Sequence, residues 1–159
     1  MKTLILGYGN ELRGDDGIGV HVARILSESS PGEDVEVVAC GQLTPDLAEA
    51  VGRCRRVIFV DASMEDAPGH IACHPLRGMD CGTVSFSHDL DPQSLLVWAR
   101  ELYGSEPEAV LLTMGGECFD LTDRLSPAVM RHLPALVECV RQQIAQSGEW
   151  PYEEHQHQG

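Results

Sequence analysis

Residues 2–20 read KTLILGYGNELRGDDGIGV, and this stretch decides the fold of the chain. A short apolar run at residues 3–6 leads into a glycine-rich turn, which is followed by Asp15, Asp16 and an apolar helical pattern. In open α/β sheets, ligands bind just outside the carboxyl ends of the strands. The stretch therefore predicts a first strand, a tight turn and a helix, with carboxylates at the edge of the sheet where such sites form.

Strand and helix patterns continue to alternate after this opening. Apolar runs predict four further strands, at residues 35–39, 56–60, 70–74 and 109–113. The sequence also predicts four helices. Helical spacing indicates the first, with Ile18, Val22, Ile25 and Leu26 on one face. Each of the others begins at a cap-then-proline signature: Thr44-Pro45-Asp46, Asp91-Pro92 and Ser126-Pro127.

The connection after the third strand is short, since only about eight residues follow Asp61 before the next apolar run. A crossover helix does not fit there, so the fourth strand should not be parallel to the third. We therefore expect a single-domain α/β three-layer sandwich, with a five-stranded, mostly parallel twisted sheet, one non-parallel strand and helices on both faces. The domain should span residues 1–147, and residues 148–159 should form a polar, flexible tail.

Composition narrows the possible functions. The 159 residues carry a net charge of -14, and Lys2 is the sole lysine, so the surface should repel nucleic acid. Six cysteines occur with no C-x-x-C pair, which is typical of reduced thiols in a cytoplasmic protein. No apolar run approaches the roughly 20 residues of a membrane span, and no signal peptide is expected.

Two acidic loops and one histidine loop hold the candidate functional residues. Asp61 directly follows the apolar third strand, and it fits either a turn or a ligand at the edge of the sheet. His88 lies in a loop just ahead of a capped helix. One of Asp15 and Asp16 is readily explained as a helix cap, but two adjacent carboxylates are not. Two carboxylates and an imidazole would make an open site for a borderline metal.

Several familiar sites are absent from the sequence. The third glycine of a dinucleotide fingerprint would fall on Leu12, and no phosphate-loop lysine is present, so nucleotide binding is disfavoured. There is no H-E-x-x-H zinc motif and no G-x-S-x-G nucleophile motif. The cysteines lie in no nucleophilic motif, and we expect them to pack rather than to react.

The opening stretch resembles the hydrogenase maturation endopeptidases, which trim the large subunit of nickel–iron hydrogenases. Residues 7–19 match the signature G-x-G-N-x-L-x-x-D-[DE]-x-x-G of that family. Val60-Asp61-Ala62 matches its second acid, and Ser87-His88-Asp89 is a shorter match to its histidine loop. The resemblance covers roughly residues 1–146, while the tail matches nothing.

The resemblance implies both a reaction and a site. The enzyme would remove a short C-terminal peptide after a basic residue, once the large subunit precursor has received nickel. Asp16, Asp61 and His88 would form the catalytic and metal-sensing cleft, and Asp15 would cap the helix. No cofactor would be permanently bound, because the metal is the nickel of the substrate, for which cadmium or zinc can substitute. The alternatives are a noncatalytic nickel-binding, chaperone-like module and, less favoured, a nucleotide-binding domain.

Overall fold

One five-stranded sheet organises the protein, and the structure, a computed structural model, describes residues 2–77 and 90–146. The strands are β1 (Lys2–Tyr8), β2 (Val35–Cys40), β3 (Cys54–Ser63), β4 (Ile71–Leu76) and β5 (Glu108–Gly115). The helices are α1 (Ile18–Glu28), α2 (Leu47–Arg53), α3 (Pro92–Tyr103) and α4 (Pro127–Ala145). A short 3₁₀ helix, Gly14–Gly17, lies between β1 and α1.

The strand order is β2-β1-β3-β5-β4. β1 pairs in parallel with β2 and β3, and β3 pairs in parallel with β5. β4 runs antiparallel along β5 at the edge, as the short connection after β3 requires. The predicted fold, with four parallel strands and one antiparallel strand, is therefore confirmed.

Helices cover both faces of the sheet, which gives the three predicted layers. On one face, the cluster around Ile5, Ile58 and Val110 packs against α1 and α4. On the other face, Leu4, Phe59 and neighbouring side chains pack against α2 and α3. Strands buried on both sides read as nearly continuous apolar runs, which explains residues 56–60 of the sequence.

The two clearest helix starts are confirmed. Asp91 accepts a hydrogen bond of 2.7 Å from the backbone N–H of Ser94 at the start of α3. Ser126 accepts one of 3.4 Å from the N–H of Val129 at the start of α4. These bonds satisfy backbone donors that the first turn of a helix leaves unpaired.

Two predicted boundaries are wrong. Thr44 does not cap α2, because residues 44–46 form a turn in which the carbonyl of Thr44 accepts from the N–H of Leu47, and the helix begins at Leu47. β4 begins at Ile71 rather than His70 and continues to Leu76, because its pairing with β5 sets its length. Pro75 is tolerated within it because β4 is an edge strand.

A buried arginine binds the end of α4 to the edge of the sheet that lies opposite the carboxylates. Arg56, at the start of β3, is 4% exposed and bonds to the Glu108 carboxylate at 2.9 Å. It also donates to the carbonyls of Gln143 and Gln146, which lie at the carboxyl-terminal end of α4. A buried guanidinium is stable only when its donors are satisfied, so this contact fixes where α4 ends.

Three other predictions, which concern the cysteines, membrane spans and the C-terminal tail, can be compared with the structure only over the described residues. The described cysteines, at positions 40, 54, 73, 118 and 139, are free thiols, while Cys81 lies outside the described residues. No helix in residues 2–77 and 90–146 is long and apolar enough to cross a membrane. The boundary between domain and tail at residue 147 stays a prediction, since the structure describes the chain only to Gln146.

Candidate active site

The site lies where β1, β3 and β5 end, on the face that α2 and α3 cover. Asp61 of β3 stands directly opposite Thr113 of β5 in the parallel pairing. Gly7 pairs with Val60, so Tyr8 is the neighbour of Asp61 on the other side. Paired residues of adjacent strands point to the same face. Tyr8, Asp61 and Thr113 therefore form one row across the carboxyl edge of the sheet.

Asp16 reaches this edge from the 3₁₀ helix that follows β1. Its Oδ2 accepts a hydrogen bond of 2.8 Å from the backbone N–H of Asn10. Gly9, at φ 141°, makes this turn possible, because a Cβ there would lie 2.0 Å from the Asp16 carbonyl oxygen. The glycine loop thus directs a backbone donor to a carboxylate of the protein itself, and the negative charge of that carboxylate would repel a phosphate.

Close packing brings α1 against the strand ends. A Cβ on Gly19 would lie 2.2 Å from the Val60 carbonyl oxygen and 2.7 Å from that of Tyr8. A Cβ on Gly7 would lie 2.0 Å from the carbonyl oxygen of Gly19. Only glycine permits such an approach, so Gly7 and Gly19 allow the first turn of α1 to rest on β1 and β3.

Asp61 is the most perturbed carboxyl of this edge. Its burial raises its pKa to about 6, and the nearby charge of Asp16 raises it as well. The N–H of Ala62, at 2.7 Å from Oδ1, and the hydroxyl of Tyr8 act in the opposite direction by bonding to the charged form. A carboxylate that is largely ionised at neutral pH, but easily protonated, suits either metal ligation or proton transfer.

Asp15 has a different role from the predicted helix cap, and that prediction is wrong. It is 0% exposed, and neither the 3₁₀ helix nor α1 begins with a side-chain cap. Its Oδ2 accepts from the N–H groups of Glu117 and Cys118 at 2.8 and 3.0 Å. Ser126 donates to it from both backbone N–H and Oγ, each at 2.7 Å.

These bonds set the charge of Asp15. Burial alone would raise its pKa, but the donors from Ser126, Cys118 and Glu117 outweigh burial and place the pKa below its usual value. Asp15 is therefore a buried anion that joins the turn after β1 to the loop between β5 and α4. Asp16, which is partly exposed at the edge, is left as the acid available for chemistry.

The third predicted site residue, His88, lies outside the described residues. Within residues 2–77 and 90–146, no group of three or more His, Cys, Asp and Glu side chains is placed to hold a metal ion. The structure thus brings Asp16 and Asp61 to one edge of the sheet. A three-residue site that includes His88 stays a prediction.

A groove of about 620 Å³ lies beside the turn that binds Asp16, although neither Asp16 nor Asp61 is among its lining residues. Its walls include the turn at Gly9, Asn10 and Leu12 and the end of β2 at Cys40 and Gln42. Asn10 belongs both to this wall and to the hydrogen bond with Asp16. Asn10 is therefore the link between the groove and the carboxylate of Asp16.

Sequence reasoning missed Tyr8 and Ser126. Tyr8 occupies the variable position of the G-x-G turn, and its relation to Asp61 depends on the pairing of β1 with β3. Ser126 was recognised only as a helix cap, and its bonds to Asp15 span 111 positions. Nothing local in the sequence indicates either contact.

Comparisons with known proteins point to one group. No family profile and no curated protein matches the chain. Among solved structures, it resembles the hydrogenase maturating endopeptidase HybD from E. coli, with 25% identity, a TM-score of 0.73, and 93% of this chain and 94% of that chain covered. It also resembles a hydrogenase 2 maturation peptidase from Thaumarchaeota archaeon SCGC_AB-539-E09, with 25% identity, a TM-score of 0.71, and coverage of 92% and 100%.

A third similar structure is the [NiFe] hydrogenase maturation protease HycI from Thermococcus kodakarensis KOD1, with 24% identity, a TM-score of 0.73, and coverage of 91% and 93%. The fold, matched over nearly its whole length, and the acids at its carboxyl edge define a class of α/β peptidases. Within that class, the chain resembles the hydrogenase maturation endopeptidases over nearly its whole length. The predicted family and the predicted enzyme class are both confirmed.

Proposed function

We propose that this protein removes a short C-terminal peptide from the nickel-loaded precursor of a nickel–iron hydrogenase large subunit. The observation that carries the proposal is the meeting of Asp16 and Asp61 at the carboxyl edge of a maturation-endopeptidase fold. Asp61 lies on β3 and Asp16 on the 3₁₀ helix that follows β1, and these two strands are neighbours in the sheet. With His88 they would supply two carboxylates and one imidazole, a donor set that suits nickel.

The chemistry of the two acids fits this donor set. Oδ2 of Asp16 and Oδ1 of Asp61 each accept a backbone N–H, which orients the carboxylates and leaves each with a second oxygen. When the nickel of the substrate is bound, it would supply Lewis acidity beside the scissile bond. Asp61 would hold or release a proton at its carboxyl oxygen, since its pKa of about 6 lies near the working pH.

The surroundings support a polypeptide substrate. The groove beside Asn10 has room for an extended segment. The loops at this edge are rich in acidic residues, which include Glu11, Asp46, Asp66, Glu117 and Asp123. Such a surface would attract the basic residue after which cleavage is expected and would disfavour nucleic acid. A cytoplasmic location fits this reaction.

The test uses the purified protein and the large subunit precursor from the same genome, with and without nickel. We expect a mobility shift of the nickel-loaded precursor at substoichiometric enzyme and no cleavage of the nickel-free form. Asp16→Ala, Asp61→Ala and His88→Ala should each abolish most cleavage, while Glu28→Ala, which alters an exposed acid at the far end of α1, should not.

The outcomes separate the alternatives. Binding of nickel-loaded precursor without shortening would indicate the chaperone-like module. Equal trimming of nickel-free precursor would mean that nickel is not the recognition signal, although the peptidase activity would stand.

A further inference from the structure

We infer that Asn10 is a substrate-binding residue whose side-chain amide nitrogen donates a hydrogen bond to a main-chain carbonyl of the precursor near Asp16. This inference rests on the proposed function, because it states how the same site holds its polypeptide substrate. It assigns a role to the side chain of Asn10, of which the backbone N–H, and not the amide, bonds to Asp16.

The backbone of Asn10 places this side chain close to the candidate site. Its N–H donates to Oδ2 of Asp16 at 2.8 Å, and its carbonyl accepts the N–H of Arg13 at 3.0 Å. The N–H of Gly9 bonds to the carbonyl of Cys40 at 3.2 Å, which fixes the turn to the end of β2. By bond lengths alone, the amide nitrogen of Asn10 lies within about 8 Å of the Asp16 carboxylate.

The amide group of Asn10 is held in one orientation by the turn itself. Its Oδ1 accepts the N–H of Leu12 at 2.9 Å, which makes an Asx turn. Because a backbone N–H can only donate, its partner must be the oxygen of the amide, and this bond identifies the two branches of the group. The NH₂ group is the other branch of a plane whose rotation is restricted, so ordering this donor costs little when a substrate binds.

The NH₂ group of Asn10 is free to bind a ligand. Asn10 is exposed and lines the groove of about 620 Å³, and its amide nitrogen makes no hydrogen bond within residues 2–77 and 90–146. Arg24 lines the same groove, but its guanidinium makes two bonds to the Glu11 carboxylate. The wall therefore presents a free neutral donor at Asn10, while its cation is committed to a carboxylate.

A neutral donor in acidic surroundings selects a neutral acceptor. Glu11 and Asp123 line this groove and Asp16 bonds to the same turn, so an anionic ligand would be repelled. Every residue of an extended chain presents a carbonyl oxygen as an acceptor. Such a chain advances about 3.3 Å per residue, so the amide reaches carbonyls within about three residues of a bond beside Asp16. This contact holds the substrate whatever side chains it carries.

The experiment compares two variants of Asn10 with wild type on nickel-loaded precursor. Asn10→Ser keeps an oxygen that can accept the Leu12 N–H but lacks the NH₂ group. We expect KM to rise about 3- to 10-fold with kcat within about twofold, because the lost bond is equally present in the ground state and the transition state. Asn10→Asp keeps Oδ1 and replaces the NH₂ group with an oxygen, so its KM should rise at least as much.

Two further variants separate substrate binding from support of the turn. Asn10→Ala also removes the acceptor of the Leu12 N–H, so the turn that binds Asp16 should loosen and kcat should fall as well. Gln142→Ser alters an exposed amide near the carboxyl-terminal end of α4, far from the carboxyl edge of the sheet, and should stay within about twofold of wild type. An unchanged KM for Asn10→Ser, or a fall in its kcat as large as that of Asn10→Ala, would overturn the inference.

Equilibrium binding provides a measurement that does not depend on cleavage. Calorimetry with nickel-loaded precursor in the Asp61→Ala background should show Kd rising about 3- to 10-fold when Asn10→Ser is added. Adding Gln142→Ser should leave Kd unchanged, and equal Kd values for the two double variants would also overturn the inference. If wild type binds the precursor without cleaving it, the proposed function fails, and the ratio of Kd values still decides the role of Asn10. If wild type does neither, both fail.

Discussion

Asp15 and Ser126 are joined by two hydrogen bonds of 2.7 Å, although 111 positions separate them in the chain. Ser126 uses its N–H and its hydroxyl for Asp15, and the same Oγ accepts the N–H of Val129 to begin α4. One serine thus anchors a buried carboxylate and starts the longest helix. The pair connects the turn that carries Asp16 to the loop between β5 and α4.

Asp15→Asn should destabilise the protein by about 3 kcal/mol or more at pH 7, because an amide nitrogen would face backbone N–H donors that the carboxylate now satisfies. The lowered pKa of Asp15 means that its contribution is fully present above the unfolded pKa. It is lost as pH falls through the folded value. The difference between variant and wild type should therefore be constant from pH 5 to 8 and shrink below about pH 4.

Urea denaturation at pH 7 and at pH 3.5 would measure these differences. Asp123→Asn, an exposed acid in the loop before Ser126, is the matched control and should change stability by less than about 0.5 kcal/mol. A loss for Asp15→Asn that is no larger than that of the control would contradict the role assigned to the buried anion.

The fold was largely predictable because its signals are local. Strands buried on both faces leave apolar runs, and Asp91-Pro92 and Ser126-Pro127 combine a side-chain acceptor with a residue pre-set for a first turn. Thr44-Pro45 carries a similar signature, but there it forms a turn before α2, so the signature alone does not settle where a helix begins.

The site was only partly predictable, and Asp15 shows why. Its position before a helix favours a cap, yet its four donors come from residues 117–126 and depend on how β5 and α4 pack. Because strand ends meet at one edge of a parallel sheet, Asp61 and the pair Asp15 and Asp16 were candidates, and the family resemblance then selected Asp16 and Asp61. The partnership of Tyr8 with Asp61 depends on the register between β1 and β3, which no local pattern specifies.

Asp61→Asn should make the protein more stable at pH 8. Burial raises the pKa of Asp61 to about 6, so the native state binds this proton more tightly than the unfolded state does. The free energy of unfolding of the wild-type protein therefore falls as pH rises from about 4 to 6. Above that range, Asp61 is ionised and the full cost of burying its charge is present. A neutral amide avoids the penalty, and we expect a gain of roughly 1–3 kcal/mol at pH 8.

Chemical denaturation of Asp61→Asn and wild type at pH 4 and pH 8 tests whether the substitution raises or lowers the free energy of unfolding. The gain should disappear at pH 4, where the wild-type carboxyl is protonated in the native state. Glu65→Gln, at an exposed acid shortly after β3, should show no such pH dependence. A variant that is less stable than wild type at pH 8 would show that hydrogen bonds to the charged form outweigh burial.

The buried thiol of Cys54 and the half-buried thiols of Cys40, Cys73 and Cys139 should resist alkylation in the native protein. Burial raises the pKa of Cys54 to about 11 and that of Cys73 to about 11, and it raises the pKa values of Cys40 and Cys139 as well. Because the thiolate is the nucleophile, iodoacetamide at pH 7.5 should modify these four slowly. Mass mapping of the treated protein gives the extent at each position, with urea-unfolded protein as the control. Rapid modification of Cys54 in the native protein would contradict its buried position in the core.

Gly19→Ala should disrupt the site more than the addition of a single methyl group suggests. The new Cβ would meet the carbonyl oxygens of Val60 and Tyr8, which belong to strand backbone and have little room to move. α1 would have to shift away from β1 and β3, and the turn that carries Asp16 would shift with it. We expect a loss of several kcal/mol in stability and of most cleavage activity, since overpacking a well-packed contact typically costs about 1–3 kcal/mol even between side chains.

Gly41→Ala is the matched control for this substitution. Gly41 follows β2 at the same edge of the sheet, and a Cβ there meets no atom within 4 Å. It should fold with wild-type stability or slightly better, because alanine restricts the unfolded chain. Thermal unfolding and cleavage of nickel-loaded precursor, measured side by side for both variants, provide the comparison. If Gly19→Ala matches Gly41→Ala in both measurements, the first turn of α1 does not need its close contact with the strand ends, and Asp16 must be held in place by the Asn10 N–H and the Asp15 network alone.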